Sequence, residues 1–164
     1  MLLFRNRPRG HAWLTRRAAA PRSPAVCLFD AEFVAALAAQ GHPMKPGAVG
    51  ENFDLSGLPW SECARPGAYR RTAARPRRHS FAFRAGARIA LGRDVLLEIS
   101  EVTSPCATTK IGFLKGDNSL MDERKCPGKS RWYARVLRDG WVFRGDEARL
   151  LRMPTKDDKA TRDT

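Results

Sequence analysis

Four cysteines, Cys27, Cys63, Cys106 and Cys126, carry the readiest chemistry in this chain. A cysteine thiolate is a nucleophile and a soft metal ligand, whereas a thiol buried among apolar groups behaves as a small hydrophobe. No two are spaced Cys-x-x-Cys, and His11, His42 and His79 fall into no ligand pattern with them, so the spacing supports no zinc site. Local context separates the four. Cys27 sits inside the apolar run 25–29, where core packing accounts for it. Cys63 lies in a segment of Arg, Ala and Pro and reads as incidental. Cys126 precedes Pro127-Gly128, and either role stays open for it. Cys106 follows Thr103-Ser104-Pro105 at the end of a β-branched run. A proline ends the hydrogen-bond ladder, so the residue after it leaves the sheet and its thiol stands at a strand end. An ordinary thiol has a pKa near 8.5 and needs activation, which Lys110 could supply if the following loop folds back. The alternative for Cys106 is a buried hydrophobe.

These residues need elements to hold them. Ala25-Val-Cys-Leu-Phe29 predicts a buried strand. Asp30 is then an N-cap for a helix over 31–40, with Phe33, Ala36 and Leu37 on one face and Gly41 as its stop. Pro46 to Phe53 holds Gly47 and Gly50, which permit a left-handed backbone, while Glu51 and Asn52 can pin such a loop through its amides. Leu55–Leu58 reads as a short continuation before Pro59. After a turn, Val95–Val102 predicts a strand. Lys115-Gly-Asp-Asn118 is a turn signal. Arg131–Leu137 alternates as a strand, and Asp139-Gly140 leads it into a second one at Trp141-Val-Phe143. Trp132, Tyr133, Trp141 and Phe143 read as core. Arg131 and Arg135, four apart on one strand, project to the same face. Gly145-Asp146 closes the pattern.

Length and charge bound the rest. The chain has 164 residues, which suggests one domain able to bury about two-thirds of its unfolded surface. No apolar run approaches the roughly 20 residues of a membrane span, and the run at Met1-Leu-Leu-Phe4 stops short of a secretory core of about 7–15 residues, so the expected location is cytoplasmic, without a membrane partner. The net charge is +13, with six arginines between Arg5 and Arg22 and nine between Arg65 and Arg93. Such a balance favours anionic partners, although basic loops and tails explain it as well. A basic nucleic-acid-binding module is therefore an alternative. The arginines lie in irregular stretches without interleaved aromatics, which argues against it. The expected organisation is an irregular basic segment over 1–24 that reads as truncated, a domain over 25–152 with a basic, disordered insertion at 61–84, and a disordered tail over 153–164. Short strands, Gly-rich turns and one helix predict a mainly β, closed or nearly closed barrel.

Several stretches together resemble the MOSC family, the molybdenum cofactor sulfurase C-terminal domain. Pro46-Gly-Ala-Val-Gly-Glu-Asn52, followed by Gly57-Leu58, resembles its Pro-Gly-x-x-Gly-Glu-Asn segment. Gly86–Val102 resembles its glycine-flanked apolar run and strand, and Thr103-Ser-Pro-Cys106 sits where the family carries its cysteine. Pro127 to Leu137, then Gly140 and Gly145-Asp146, resembles the closing hairpin of small, single-domain bacterial-type members. The chain departs from the family at Gly10-His11, where a Gly-Asp-x-His segment is usual, and at Cys126, where relatives often have His.

The resemblance implies a β-barrel of the pyruvate-kinase-barrel-like type with one or two helices. It also implies molybdenum cofactor (molybdopterin) chemistry in which Cys106 is both catalytic residue and metal ligand. Activity would be sulfur carriage in cofactor sulfuration or molybdenum-dependent reduction of N-hydroxylated compounds, by a sulfur transferase or an oxidoreductase. A sulfur donor or an electron-transfer protein would be its partner. Molybdenum favours soft sulfur donors, and a thiolate also carries sulfane sulfur as a persulfide. The cofactor's phosphate calls for arginine forks and loop amides, so Arg135 before Arg131, with Gly50, Asn52 and Lys110, are its candidate binding residues. Pyridoxal phosphate enters only by family association, because larger proteins fuse this domain to a desulfurase that uses it; no lysine for it is recognisable here. An inactive, degraded homologue is the other alternative.

Overall fold

The computed structural model describes residues 2–3, 13–15, 26–60 and 85–152. The expectations for 61–84 and the tail, and the positions of His11, Cys63 and His79, lie outside the described residues. Among the described residues the strands are β1 (Leu2–Leu3), β2 (Trp13–Thr15), β3 (Val26–Asp30), β4 (Phe53–Leu55), β5 (Arg88–Leu91), β6 (Val95–Val102), β7 (Trp132–Arg138), β8 (Gly140–Val142) and β9 (Ala148–Arg152), with one α-helix, α1 (Ala31–Ala39). Seven strands form one curled, barrel-like sheet in the order β1-β4-β3-β7-β6-β5-β9, and β2 pairs with β8 in a separate ribbon. The fold is mainly β, as expected.

Alternation along the strands builds two cores. Val26 and Leu28 of β3, Phe53 and Leu55 of β4, Ile89 and Leu91 of β5, Leu97 and Ile99 of β6, and Ala134 and Val136 of β7 fill the concave interior. The other face of β3 is covered too. Phe29 packs there with Val34 and Leu37 of α1, Met44, Val49, Phe113 and Met121. Burial on both faces is why β3 reads as an unbroken apolar run. β3 and β4 are parallel, a pairing that demands a crossover, and α1 with the Pro-Gly loop supplies it.

Asp30 caps α1 as expected, accepting from the Glu32 N–H at 2.9 Å and the Phe33 N–H at 3.1 Å. Gly41, at φ +85°, follows its last turn. The buried face is Ala31, Val34 and Leu37, however, and Ala36 is exposed. The helix leaves β3 with no intervening turn, so Ala31 is already against the sheet and sets the phase. Phe33 lies at the edge, T-shaped to Phe29 at 5.9 Å with the Lys129 ammonium 4.8 Å above its ring.

Other expectations need correction. β4 ends at Leu55, and 56–58 bends away instead of continuing it. β9, which had no sequence signal beyond a short apolar pair, pairs with β5. Residues 107–121 form three short 3₁₀ turns, Ala107–Gly112, Leu114–Gly116 and Asn118–Met121. Trp141 and Phe143 are not core: they are 53% and 52% exposed, because Val142 takes the inward position between them. Trp132 is buried and Tyr133 half-buried.

Candidate functional site

β6 delivers the site. Its end is tied to the start of β7: the Thr103 N–H donates to the Arg131 carbonyl at 2.9 Å, and the Ser130 hydroxyl donates to the Thr103 carbonyl at 2.7 Å. The chain then turns through Ser104-Pro105, and Cys106 stands exposed as the cap of the first 3₁₀ turn. The expected strand-end position is the one observed.

A small network fixes Cys106. Its N–H donates to Thr109 Oγ1 at 3.2 Å, and the Thr109 hydroxyl donates back to the Cys106 carbonyl at 2.8 Å. Asn118 Nδ2 donates to that carbonyl at 2.9 Å and to Thr109 Oγ1 at 2.6 Å. The Thr109 N–H, and after it the Thr108 N–H and hydroxyl, face the sulfur and hold the Cys106 thiol below its ordinary pKa, with the Arg131 charge contributing last. Hydrogen bonds to the charged form favour that form. The activating groups are therefore the thiol's own turn. Lys110 is exposed and is not among them.

The Pro-Gly loop packs behind this turn. Gly47 and Gly50 have φ of +79° and +85°, the left-handed backbone their spacing permits. Glu51, buried, accepts from the Gly47 and Val49 N–H groups, the latter at 3.1 Å. Asn52 imitates a strand partner for Cys27: its Oδ1 accepts from the Cys27 N–H at 2.7 Å, and its N–H donates to the Cys27 carbonyl at 2.8 Å. Loop pinning thus occupies both residues.

Arg131 falls just before β7 and Arg135 inside it, and they go to different places. Arg135 meets Glu98 at 3.6 Å, beside Arg88 at 3.5 Å from the same carboxylate. Arg131 is buried and donates from Nη1 to the Val49 carbonyl; its Nε has no partner among the described residues. A Cβ built on Gly50 would make only an ordinary contact with Arg131 Nη1, at 3.6 Å, so the φ of +85° and not lack of space is what calls for glycine here.

Arg131 also faces Cys27, which lies near the Glu51 and Asp54 carboxylates as well. Cys27 is buried, and desolvation pushes its thiol up to about 11. Asp54 is pushed up to about 8, first by burial and then by the Glu51 carboxylate. Neither Asp54 nor the Thr109–Asn118 pair was read from the sequence. A Thr three residues after a turn-capping residue was the available signal for Thr109; Asn118 comes from the next turn but one and was read only as part of a turn signal.

Next to Cys106, Val102, Thr103 and Ser104 line a cleft of about 210 Å³ with Asp122, Glu123 and Arg124. Arg124 meets Asp122 at 2.7 Å and holds its carboxyl down, to about 2. Cys126, four residues beyond Asp122, is half-buried. His42 is occupied, accepting from the Leu114 N–H at 3.1 Å through Nδ1. Among the described residues no group of three His, Cys, Asp or Glu side chains could hold a metal.

A curled sheet with an exposed cysteine just beyond the end of β6 is the arrangement the sequence resemblance anticipates. The family model for the MOSC domain matches residues 15–149, and the chain belongs to that family. Solved structures share the fold. The crystal structure of YiiM from Geobacillus stearothermophilus aligns with a TM-score of 0.58 at 24% identity, covering 87% of this chain and 61% of that one. YiiM from Escherichia coli aligns with a TM-score of 0.55 at 18% identity, over 91% and 74% of the two chains. A crystal structure of a hypothetical protein gives 0.57 at 19% identity, over 91% and 72%. The chain thus spans about three-fifths of the length of the Geobacillus protein. No curated protein matches it by sequence.

Proposed function

We propose that Cys106 is the working residue of this MOSC domain, holding molybdenum cofactor or carrying sulfur, in cofactor sulfuration or in reduction of N-hydroxylated compounds. The observation that carries this is the exposed thiol at the end of β6, held low in pKa by the amides of its own turn. An accessible thiolate suits both a soft metal and a sulfane sulfur atom.

The donor set fits the metal end of the cofactor: Cys106 would supply the sulfur ligand, and the cofactor, when bound, supplies redox chemistry that no side chain has. At the phosphate end, Arg131 ranks before Arg135 in this reading. Both have an Nε without a partner among the described residues, but Arg131 reaches the Pro-Gly loop, while Arg135 is paired with Glu98. Gly50 gives the loop its left-handed backbone against Arg131, Asn52 holds the loop, and Lys110 stands exposed on the rim of the turn. Pyridoxal phosphate belongs, on this reading, to fused desulfurases and has no site in this domain. A cytoplasmic location is part of the same proposal; no helix among the described residues is long and apolar enough to cross a membrane.

The experiment is elemental analysis for molybdenum with persulfide labelling, in the wild type and in Cys106→Ala, expressed where the cofactor is made. Molybdenum or labelled sulfur in the wild type, absent from the variant, is the expected result, and which of the two appears separates cofactor holding from sulfur carriage. Neither, in folded protein, overturns the proposal in favour of an inactive homologue. Salt-sensitive oligonucleotide binding would instead favour the basic module.

A further inference from the structure

Two aliphatic side chains stand in water on the stretch that begins at Cys106. Ile111 is 71% exposed and Leu114 is 49% exposed, two of the five large exposed hydrophobic residues among those described. Both belong to the stretch that Cys106 begins. At roughly 2 Å of rise per residue of 3₁₀ turn, Ile111 stands about 10 Å from Cys106, well inside the ~800 Å² a protein partner covers on one side.

The stretch is rigid. Phe113, between the two aliphatics, is buried in the second core and meets His42 edge-on at 5.6 Å, which turns its neighbours outward. Gly112 is pressed so close that a Cβ there would come within 2.8 Å of Met44 and 2.9 Å of Val49. Lys115 holds a left-handed backbone at φ +55°, which no other non-glycine residue does among those described. A loop held this firmly with its aliphatic side chains in water has the anatomy of an interface centre.

Its charge selects the partner. From Val102 to Gly116 the sequence has no acid, and Lys110 and Lys115 are both exposed on this stretch. The chain as a whole carries +13, so long-range steering works in the same direction.

We propose that residues 106–115 form a docking surface for an acidic partner protein, one with an apolar centre and a carboxylate rim, which is thereby brought to Cys106. This rests on the reading of Cys106 as the reactive residue, and goes beyond it by stating what must approach and where. The cleft by Ser104 is separate from this surface, being lined by residues 102–104 and 122–124.

The test measures capture of short peptides of equal length that differ only in net charge, each bearing one leucine and one cysteine activated as a thiopyridyl disulfide. The Cys106 thiolate attacks the peptide sulfur, the mixed disulfide forms and pyridine-2-thione leaves; the adduct at Cys106 is quantified by peptide mapping of the full chain. Dipyridyl disulfide, small and neutral, reports the thiol itself. The expected result is that the acidic peptide reacts about tenfold faster than the neutral one at low salt, with the gap closing at high salt. Lys115→Glu removes the preference, and Ile111→Ser with Leu114→Ser slows every peptide, while dipyridyl disulfide reacts with these variants as with the wild type. Equal rates for the acidic and neutral peptides overturn the docking surface. So does a wild-type dimer that Ile111→Ser with Leu114→Ser converts to monomer, which would assign the patch to a second copy, or protection of Cys106 by a single-stranded oligonucleotide. If dipyridyl disulfide itself fails to modify Cys106 in folded protein, the reading of Cys106 fails and the docking surface with it.

Discussion

Cys27 and Cys106 are the same side chain in opposite surroundings. Cys27 is inside β3, with covered sheet on both sides, and desolvation drives its thiol up to about 11. Cys106 caps an exposed turn, where the Thr109 and Thr108 amides face its sulfur and drive it down. Their backbones differ in the same sense. Cys27 spends its N–H and carbonyl on Asn52 and pairs with Tyr133 across the ladder. Cys106, released from the ladder by Pro105, uses its own to fold the next turn around itself. Reactivity here is set by where a strand ends.

The largest expected effect follows at once. At pH 7 a thiol with a pKa near 11 is ionised in only about one molecule in ten thousand, against a few per cent for an ordinary cysteine. Iodoacetamide should therefore alkylate Cys106 at least ~100-fold faster than Cys27 in the native protein, with burial widening the gap. Site-resolved mass spectrometry over a time course measures it. Comparable rates would collapse the distinction between the two regions.

Arg131 is next, because it faces both thiols. Arg131→Met keeps the volume but removes the donor to the Val49 carbonyl and the charge that faces Cys27. The expected cost is about 2–3 kcal/mol, read as a lower midpoint in urea at unchanged slope. The Cys106 alkylation profile should move to slightly higher pH, since the Arg131 charge is the last of the causes lowering it. A larger shift at Cys106 than loss of stability would mean that the guanidinium serves the thiol more than the loop.

The buried carboxylate beside Cys27 sharpens the contrast through pH. Asp54 has its folded pKa raised, to about 8, against 3.8 unfolded. Between those values the native state binds more protons than the unfolded one, so stability falls as pH rises through that window and the contribution is gone above pH 8. Asp30, raised to about 6, adds to the decline over the lower half of the window. Asp54→Asn should flatten the slope between pH 6 and 9, measured as the unfolding midpoint at each pH. A slope unchanged in the variant would show that Asp54 is ionised in the native protein at neutral pH.

Much of this was legible because it is local. The Asp30 cap, the two left-handed glycines of the Pro-Gly loop, the Val95–Val102 strand and the exit at Pro105 each follow from a few adjacent residues. The Thr103-Ser-Pro-Cys106 order alone placed the thiol correctly. What escaped depended on distant partners. Arg135 and Arg131 look equivalent on their strand, and only the opposite residue on β6, Glu98, commits one of them. Trp141 and Phe143 look like core until Val142 is seen to face inward. β9 exists because β5 offers it an edge. Asn118 reaches Cys106 across 12 residues, a distance no turn rule spans.

The smallest effect concerns the joint between the loop and β3. Asn52 holds Cys27 through one side-chain and one backbone hydrogen bond, and only the former depends on the residue type. Asn52→Ala removes it and leaves the Cys27 N–H without that partner, at a cost of about 1 kcal/mol, because the position is near enough to the surface for water to replace part of the bond. Thermal unfolding should show a fall of a few degrees. Hydrogen exchange at the Cys27 amide should speed up more than at Leu28, whose place in the ladder is untouched. If Cys106 alkylation also slows in this variant, Asn52 acts on the site and not merely on the loop behind it, and the two cysteine regions are coupled through the Pro-Gly loop as well as through Arg131.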